Sequence, residues 1–197
     1  MNRYLDTGVF ASLVRPQYRS SCSIASITCA VRYLSGQDIR QKDLADILGV
    51  NIERGRLNPG NRTVVKWLGE VARHYKLAIA ETVLFQGGWE LTSEANDQNW
   101  ETTKKLLLEP HTFLILHIEG HYAPILGFAA FPNSPRGTGR HVNHWLFVAD
   151  PSPSHRQARI PAQHLRKSPP IWSLQWGALR KAFSEHSKYG IICVSKC

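Results

Sequence analysis

Residues 13–34 read LVRPQYRSSCSIASITCAVRYL, and the way this stretch divides decides the fold. Its first half, from Pro16, holds turn formers and a basic side chain and ends in Ser20 and Ser21, either of which can cap a helix. Beyond them Ile24, Ile27, Val31 and Leu34 recur at helical spacing, while Ala25, Ser26, Cys29 and Ala30 are small enough to let other backbone approach closely. The spacing predicts a central, buried helix whose first turn carries Cys22. Unpaired N–H groups at a helix start carry partial positive charge that favours a thiolate, which makes Cys22 a candidate nucleophile. A cysteine on a buried helix can equally be a small apolar filler. The reading of Cys22 therefore turns on what the rest of the chain supplies.

At 197 residues the chain is long enough for one well-buried core and short for two, so residues 1–197 are read as a single domain. With 43% hydrophobic and 20% charged residues the composition is that of a water-soluble globular protein. No apolar run approaches the roughly 18 residues of a membrane span. The opening MNRYLDTGVFASLV carries Asp6 inside its only apolar candidate, so no secretory signal is read and a cytoplasmic location is expected. Four cysteines make a weak disulfide framework, and Cys22 and Cys29, about two helical turns apart, cannot bridge, so all are read as reduced. Cys193 and Cys197 with His141 and His144 have spacings that zinc tolerates, but such short spacings arise easily by accident; no metal and no cofactor are expected. The net charge of +9 suits anionic partners. Its basic residues are scattered and lack interleaved aromatics, so a nucleic acid is not expected.

Along the chain, Gly36 closes the Cys22 helix, Leu44, Ile47 and Leu48 support a short second helix, and Asn61 or Thr63 can cap a third running to about His74. The run KLAIAETVL at 76–84, before Gly87 and Gly88, suits a strand. Residues 85–98 read as loop and 100–108 as a short helix stopped by Pro110. HTFLILHIE at 111–119, HYAPILGFA at 121–129 and HWLFVAD at 144–150 are strong strands. Residues 151–170 read as a surface connection, 172–186 as a helix, and GIICVSK as a last strand. An irregular lead-in with a short helical turn through Val9 to Val14 completes the expectation. The fold class is α+β: an N-terminal helical part carrying the nucleophile helix, packed on an antiparallel sheet.

A thiol becomes an efficient acyl-transfer nucleophile when an imidazole takes its proton and a third group orients that imidazole. Of nine histidines, His121 follows Gly120 and opens a strand, where a side chain emerges at the sheet edge. The loop 130–143 joins two antiparallel strands, and with partners summing to about 271 it sets His121 beside Asp150. Asp150 can then orient the imidazole. Asn143, the alternative orienter, falls near Phe128 at the far end, and Asp150 taken alone could be a turn residue before Pro151. Gln17, a few residues before the nucleophile, can join the Cys22 N–H in holding an oxyanion.

Gln17, CSIASITCAVRYL, GHYAPILGF, LFVAD and PPIWSLQWGALRKAF, in that order, resemble the papain-like cysteine peptidases, most closely the catalytic domain of short prokaryotic phytochelatin synthases and more distantly the bacteriocin-processing peptidases. The resemblance implies a papain-like fold with Cys22 as nucleophile, His121 as base and then acid, Asp150 as orienter and Gln17 as oxyanion donor. It also implies an acyl-enzyme formed from a γ-glutamylcysteinyl peptide such as glutathione, passed to water or a second thiol peptide. Alternatives are a peptidase or amidase acting on a protein substrate, and a silent binding protein on the same fold. The sequence leaves the oligomeric state open.

Overall fold

The structure is a computed structural model, and it describes residues 3–4, 21–53, 57, 59–86, 93–118, 120–132, 142–151, 171–185 and 189–197. The elements are β1 (Arg3–Tyr4), α1 (Cys22–Ser35), α2 (Gln41–Ile47), α3 (Asn61–His74), β2 (Ile79–Gln86), α4 (Ser93–Leu108), β3 (Thr112–Ile118), β4 (His121–Pro132), β5 (Val142–Ala149), β6 (Ile171–Gln175), α5 (Trp176–Glu185) and β7 (Gly190–Lys196). The strands form one sheet in the order β2-β7-β3-β4-β5-β6, with β1 paired to β4. Every pairing is antiparallel.

Both faces of this sheet are covered. On one, Ile24, Ile27, Val31 and Leu34 of α1 and Val64, Leu68 and Val71 of α3 share a core with Phe113, Ile115, Tyr122, Leu126 and Ile192. On the other, Trp100 and Leu107 of α4 and Trp176, Leu179 and Phe183 of α5 pack with Leu114, Leu116, Ile125, Val148 and Ile191. Successive β3 side chains thus enter opposite cores, which is why FLIL within β3 reads as continuous apolar sequence; a sheet with one wet face would alternate. Each fully buried Leu or Ile contributes about 1.5–3 kcal/mol of transfer free energy. The expected helices-on-sheet arrangement is present, and the second helical layer adds to it.

Helix α1 is buried from Cys22 through Arg32. Its small residues let it lie close to the sheet, and its buried hydroxyl at Thr28 is satisfied by the Ile24 carbonyl at 2.7 Å. Gly36 ends it in the left-handed region, φ 73°, donating its N–H to the Arg32 carbonyl at 2.8 Å. The N-cap is Ser21, without a side-chain cap hydrogen bond.

Three expectations need correction. Helix α4 begins at Ser93, inside a stretch read as loop, because SEANDQN offers no apolar periodicity to signal a helix. The expected helix from Trp172 divides into β6 and α5, since Ile171–Gln175 pairs with β5 as an edge strand before the helix begins at Trp176. Helix α3 is capped by Gly60, not by Asn61 or Thr63. Arg3–Tyr4 in the lead-in pairs with β4, whereas the turn expected through Val9 to Val14 and all of the connection 151–170 except Pro151 lie outside the described residues.

Candidate active site

Three elements bring the site together. Cys22 is the first residue of α1, His121 the first of β4, and Asp150 directly follows β5. Strands β3 and β4 are joined tightly, with Ile118 opposite His121, and Gly120 turns the chain there with φ 68°. Glycine occupies that left-handed conformation without the cost a Cβ would bring. The turn is what sets the imidazole at the start of a strand.

His121 Nε2 lies 2.7 Å from Asp150 Oδ1. A carboxylate only accepts, so the ring donates from Nε2. The hydrogen bond between His121 and Cys22 then falls to the other ring nitrogen, Nδ1. Asp150 has no solvent exposure, and Cys22 and His121 are 5% and 7% exposed, so the pair acts across a medium that screens it weakly. Burial works against the charged imidazole, but the hydrogen bonds to Asp150 and Cys22 and the attraction of their negative forms prevail, raising His121 to about 9. The first turn of α1 carries no acidic residue, so the positive end of the helix is left to act on whatever stands there. At the other inward cysteines, burial raises the thiol of Cys29, and raises Cys193 to about 11. All four cysteines are free.

The register differs from the expected one while joining the same two residues. Residue pairs run from Pro132↔Val142 to Gly127↔Phe147, and a bulge at Leu126 shifts the ladder to Ile125↔Val148. Continued past Val148, that ladder sets Asp150 opposite Ala123, a diagonal neighbour of His121 and within reach across a strand end. Asn143 stands opposite Phe131, remote from His121. Gln17 lies outside the described residues. Among the described residues no three His, Cys, Asp or Glu side chains gather as a metal site. Cys193 and His144 sit on β7 and β5, with β3 and β4 between them, and His141 lies outside the described residues.

The sequence reading passed over a second set of residues. The Tyr122 N–H donates to Cys22 Sγ at 3.4 Å. Its hydroxyl donates to the Pro59 carbonyl at 2.8 Å, with Asn61 Oδ1 3.2 Å away. His117 Nδ1 donates to that same Asn61 oxygen at 2.8 Å. A polar His117 within an otherwise apolar buried strand was the available signal.

A buried thiol at a helix start, with a histidine and a carboxylate at the ends of adjacent strands, stands on an α+β fold of helices packed against an antiparallel sheet. The crystal structure of UfSP from C. elegans superposes on the whole chain with a TM-score of 0.51 at 12% identity, covering 33% of that protein. That likeness concerns the fold alone. The sequence model of the basic immunoglobulin-like variable motif-containing protein matches residues 2–166, and the chain belongs to this family. Its relatives include that protein in Xenopus tropicalis, 27% identical over 184 residues that cover 84% of this chain and 36% of the relative. The Giardia intestinalis relative is 26% identical over 161 residues, 76% of this chain and 58% of its own length. The human one is 25% identical over 185 residues, with 84% and 36% covered. The chain thus spans about a third of the vertebrate relatives and over half of the Giardia one.

This membership overturns the assignment to the phytochelatin synthases. The stretches that suggested it, Gln17, CSIASITCAVRYL, GHYAPILGF, LFVAD and PPIWSLQWGALRKAF, belong here to a chain of another family and carry no information about the phytochelatin synthases' substrate. Among the described residues the strands form one sheet, not the two packed sheets of an immunoglobulin sandwich. No helix among them is long and apolar enough to cross a membrane.

Proposed function

We propose that this chain is a papain-like cysteine hydrolase acting on a peptide or protein substrate. The observation that carries the reading is the buried hydrogen-bonded series Cys22, His121, Asp150, drawn from a helix start and two strand ends. Its three members occupy the roles that thiol acyl transfer requires. With the Cys22 proton already held on His121 Nδ1, the sulfur attacks the substrate carbonyl carbon. The C–N bond breaks, and His121 returns the proton to the leaving amine. A water, deprotonated by His121, then attacks the thioester and releases the acid and free Cys22. Asp150 holds the ring with Nδ1 towards the sulfur throughout. Gln17 is assigned the oxyanion with the Cys22 N–H, on sequence position alone. The glutathione reading loses its support with the family assignment that suggested it.

The test uses a peptide carrying a thiol-reactive vinyl sulfone, with intact-mass detection, alongside cleavage of a diverse peptide library. An adduct on Cys22 and none on Cys29 or Cys193, a reaction at least about 100-fold slower in His121→Ala, and library cleavage abolished in Cys22→Ala are the expected results. Glycine release from glutathione is not expected. A Cys22 that reacts no faster than Cys29 would defeat the proposal.

A further inference from the structure

Tyr122 is held at three points by three different elements. Its N–H meets Cys22 Sγ at the start of α1. Its hydroxyl meets the Pro59 carbonyl and Asn61 at the entry to α3. Its ring lies flat on that of His117, centroids 4.1 Å apart and planes 5° from parallel. His117 is the residue directly opposite it on β3, and donates to Asn61 in turn. Tyr122 and His117 are 0% and 2% exposed and Asn61 is 4% exposed, so these bonds are made away from water, where losing one leaves a costly unpaired group.

This arrangement is more than a core needs. An apolar side chain would fill the same space between β3, β4 and α3, yet the position holds a hydroxyl aimed at the one turn where α3 begins. Asn61 stands at the first position of α3, where a side chain often serves its own helix; here the cap is Gly60 and the Asn61 oxygen receives His117 instead. Tyr122 also follows His121 directly. Fixing its ring fixes the backbone one residue from the imidazole, and the Tyr122 N–H reaches the sulfur from the same backbone. The distance between α1 and the first residues of β4 decides whether Cys22 and His121 meet.

We infer that Asn61, His117 and Tyr122 are positioning residues that register the start of β4 against Cys22, and that the Tyr122 N–H steadies the sulfur for attack. The inference rests on the proposed role of Cys22. Its substrate-independent readout is the rate at which the folded protein's Cys22 is alkylated by iodoacetamide. This rate needs no peptide binding, and the alkylation of buried Cys29 in the same sample reports any opening of the fold that a variant brings.

The experiment compares wild type, His121→Ala, Tyr122→Phe and His117→Phe in the full chain, at a temperature where melting curves show each fully folded. Tyr122→Phe removes only the hydroxyl, and His117→Phe keeps a stacking ring while removing the donor. The expected result is Cys22 alkylation about tenfold slower in both than in wild type, with His121 ring signals in NMR displaced. If wild type reacts quickly in a His121-dependent way while Tyr122→Phe and His117→Phe react at the wild-type rate, the positioning role is wrong and the hydrolase reading stands. If wild-type Cys22 itself is inert, both fall. Should Tyr122→Phe fail to fold, His117→Phe decides alone.

Discussion

Replacing Asp150 by Asn keeps the shape of the His121 partner and an acceptor oxygen while removing its charge. His121 is raised from 6.5 to about 9. A histidine held above its unfolded value stabilises the fold fully below about pH 6.5 and loses that contribution as pH rises through about 9, because in between the folded state keeps a proton that the unfolded chain has released. At 1.36 kcal/mol per unit this amounts to about 3 kcal/mol across the window. Burial opposes the imidazolium, and Asp150 supplies one of the two negative partners that overcome it. An opposite charge at such range is worth about 1–3 pKa units, so in Asp150→Asn the pH-dependent loss should shrink to about 2 kcal/mol or less. Urea unfolding of both proteins at half-unit steps from pH 6 to 9.5 measures it. Cys29, Cys193 and Tyr122 are raised by burial and also withdraw stability at the alkaline end, but they are common to both proteins and largely cancel in the difference. Parallel stability curves for the two proteins would refute the claim that Asp150 holds the charged form of His121.

Gly36→Ala should destabilise by about 1 kcal/mol, since φ is 73° and nothing lies within 4 Å of an added Cβ, which leaves the backbone conformation as the whole cost; thermal or urea melts read it directly. Leu68→Ala, at a fully buried position between α3 and the sheet, should cost about 2–5 kcal/mol and leave Cys22 alkylation of the folded protein unchanged. Gly120→Ala should both destabilise by about 1 kcal/mol or more and slow Cys22 alkylation, because the turn with φ 68° delivers His121; loss of stability with an unchanged alkylation rate would separate the turn from the site.

Much of this fold is legible in residue pattern. The period of Ile24, Ile27, Val31 and Leu34 gave the buried helix, and continuous apolar runs gave β3 and β4. What misled was chemistry the pattern does not encode. Ile171–Gln175 is a strand because β5 needs a partner, a fact that resides in another part of the chain. For the site, His121 was legible from Gly120, and Asp150 from hairpin symmetry, although the bulge at Leu126 could not be foreseen and the diagonal contact absorbed the error. Asn61 was read as a cap because an Asn before a helical run has that use most often. Its partners, His117 and Tyr122, are distant in sequence, and no local rule connects them.

The strand order has a further consequence. β7 lies between β2 and β3, although it is made after both. During synthesis, Cys22, His121 and Asp150 have all left the ribosome before the strand on which α1, α3 and β2 converge exists. A nascent chain therefore carries every group of the proposed site for some time before the sheet beneath α1 and α3 is complete. The sheet closes last in its interior, where β7 joins β2 to β3.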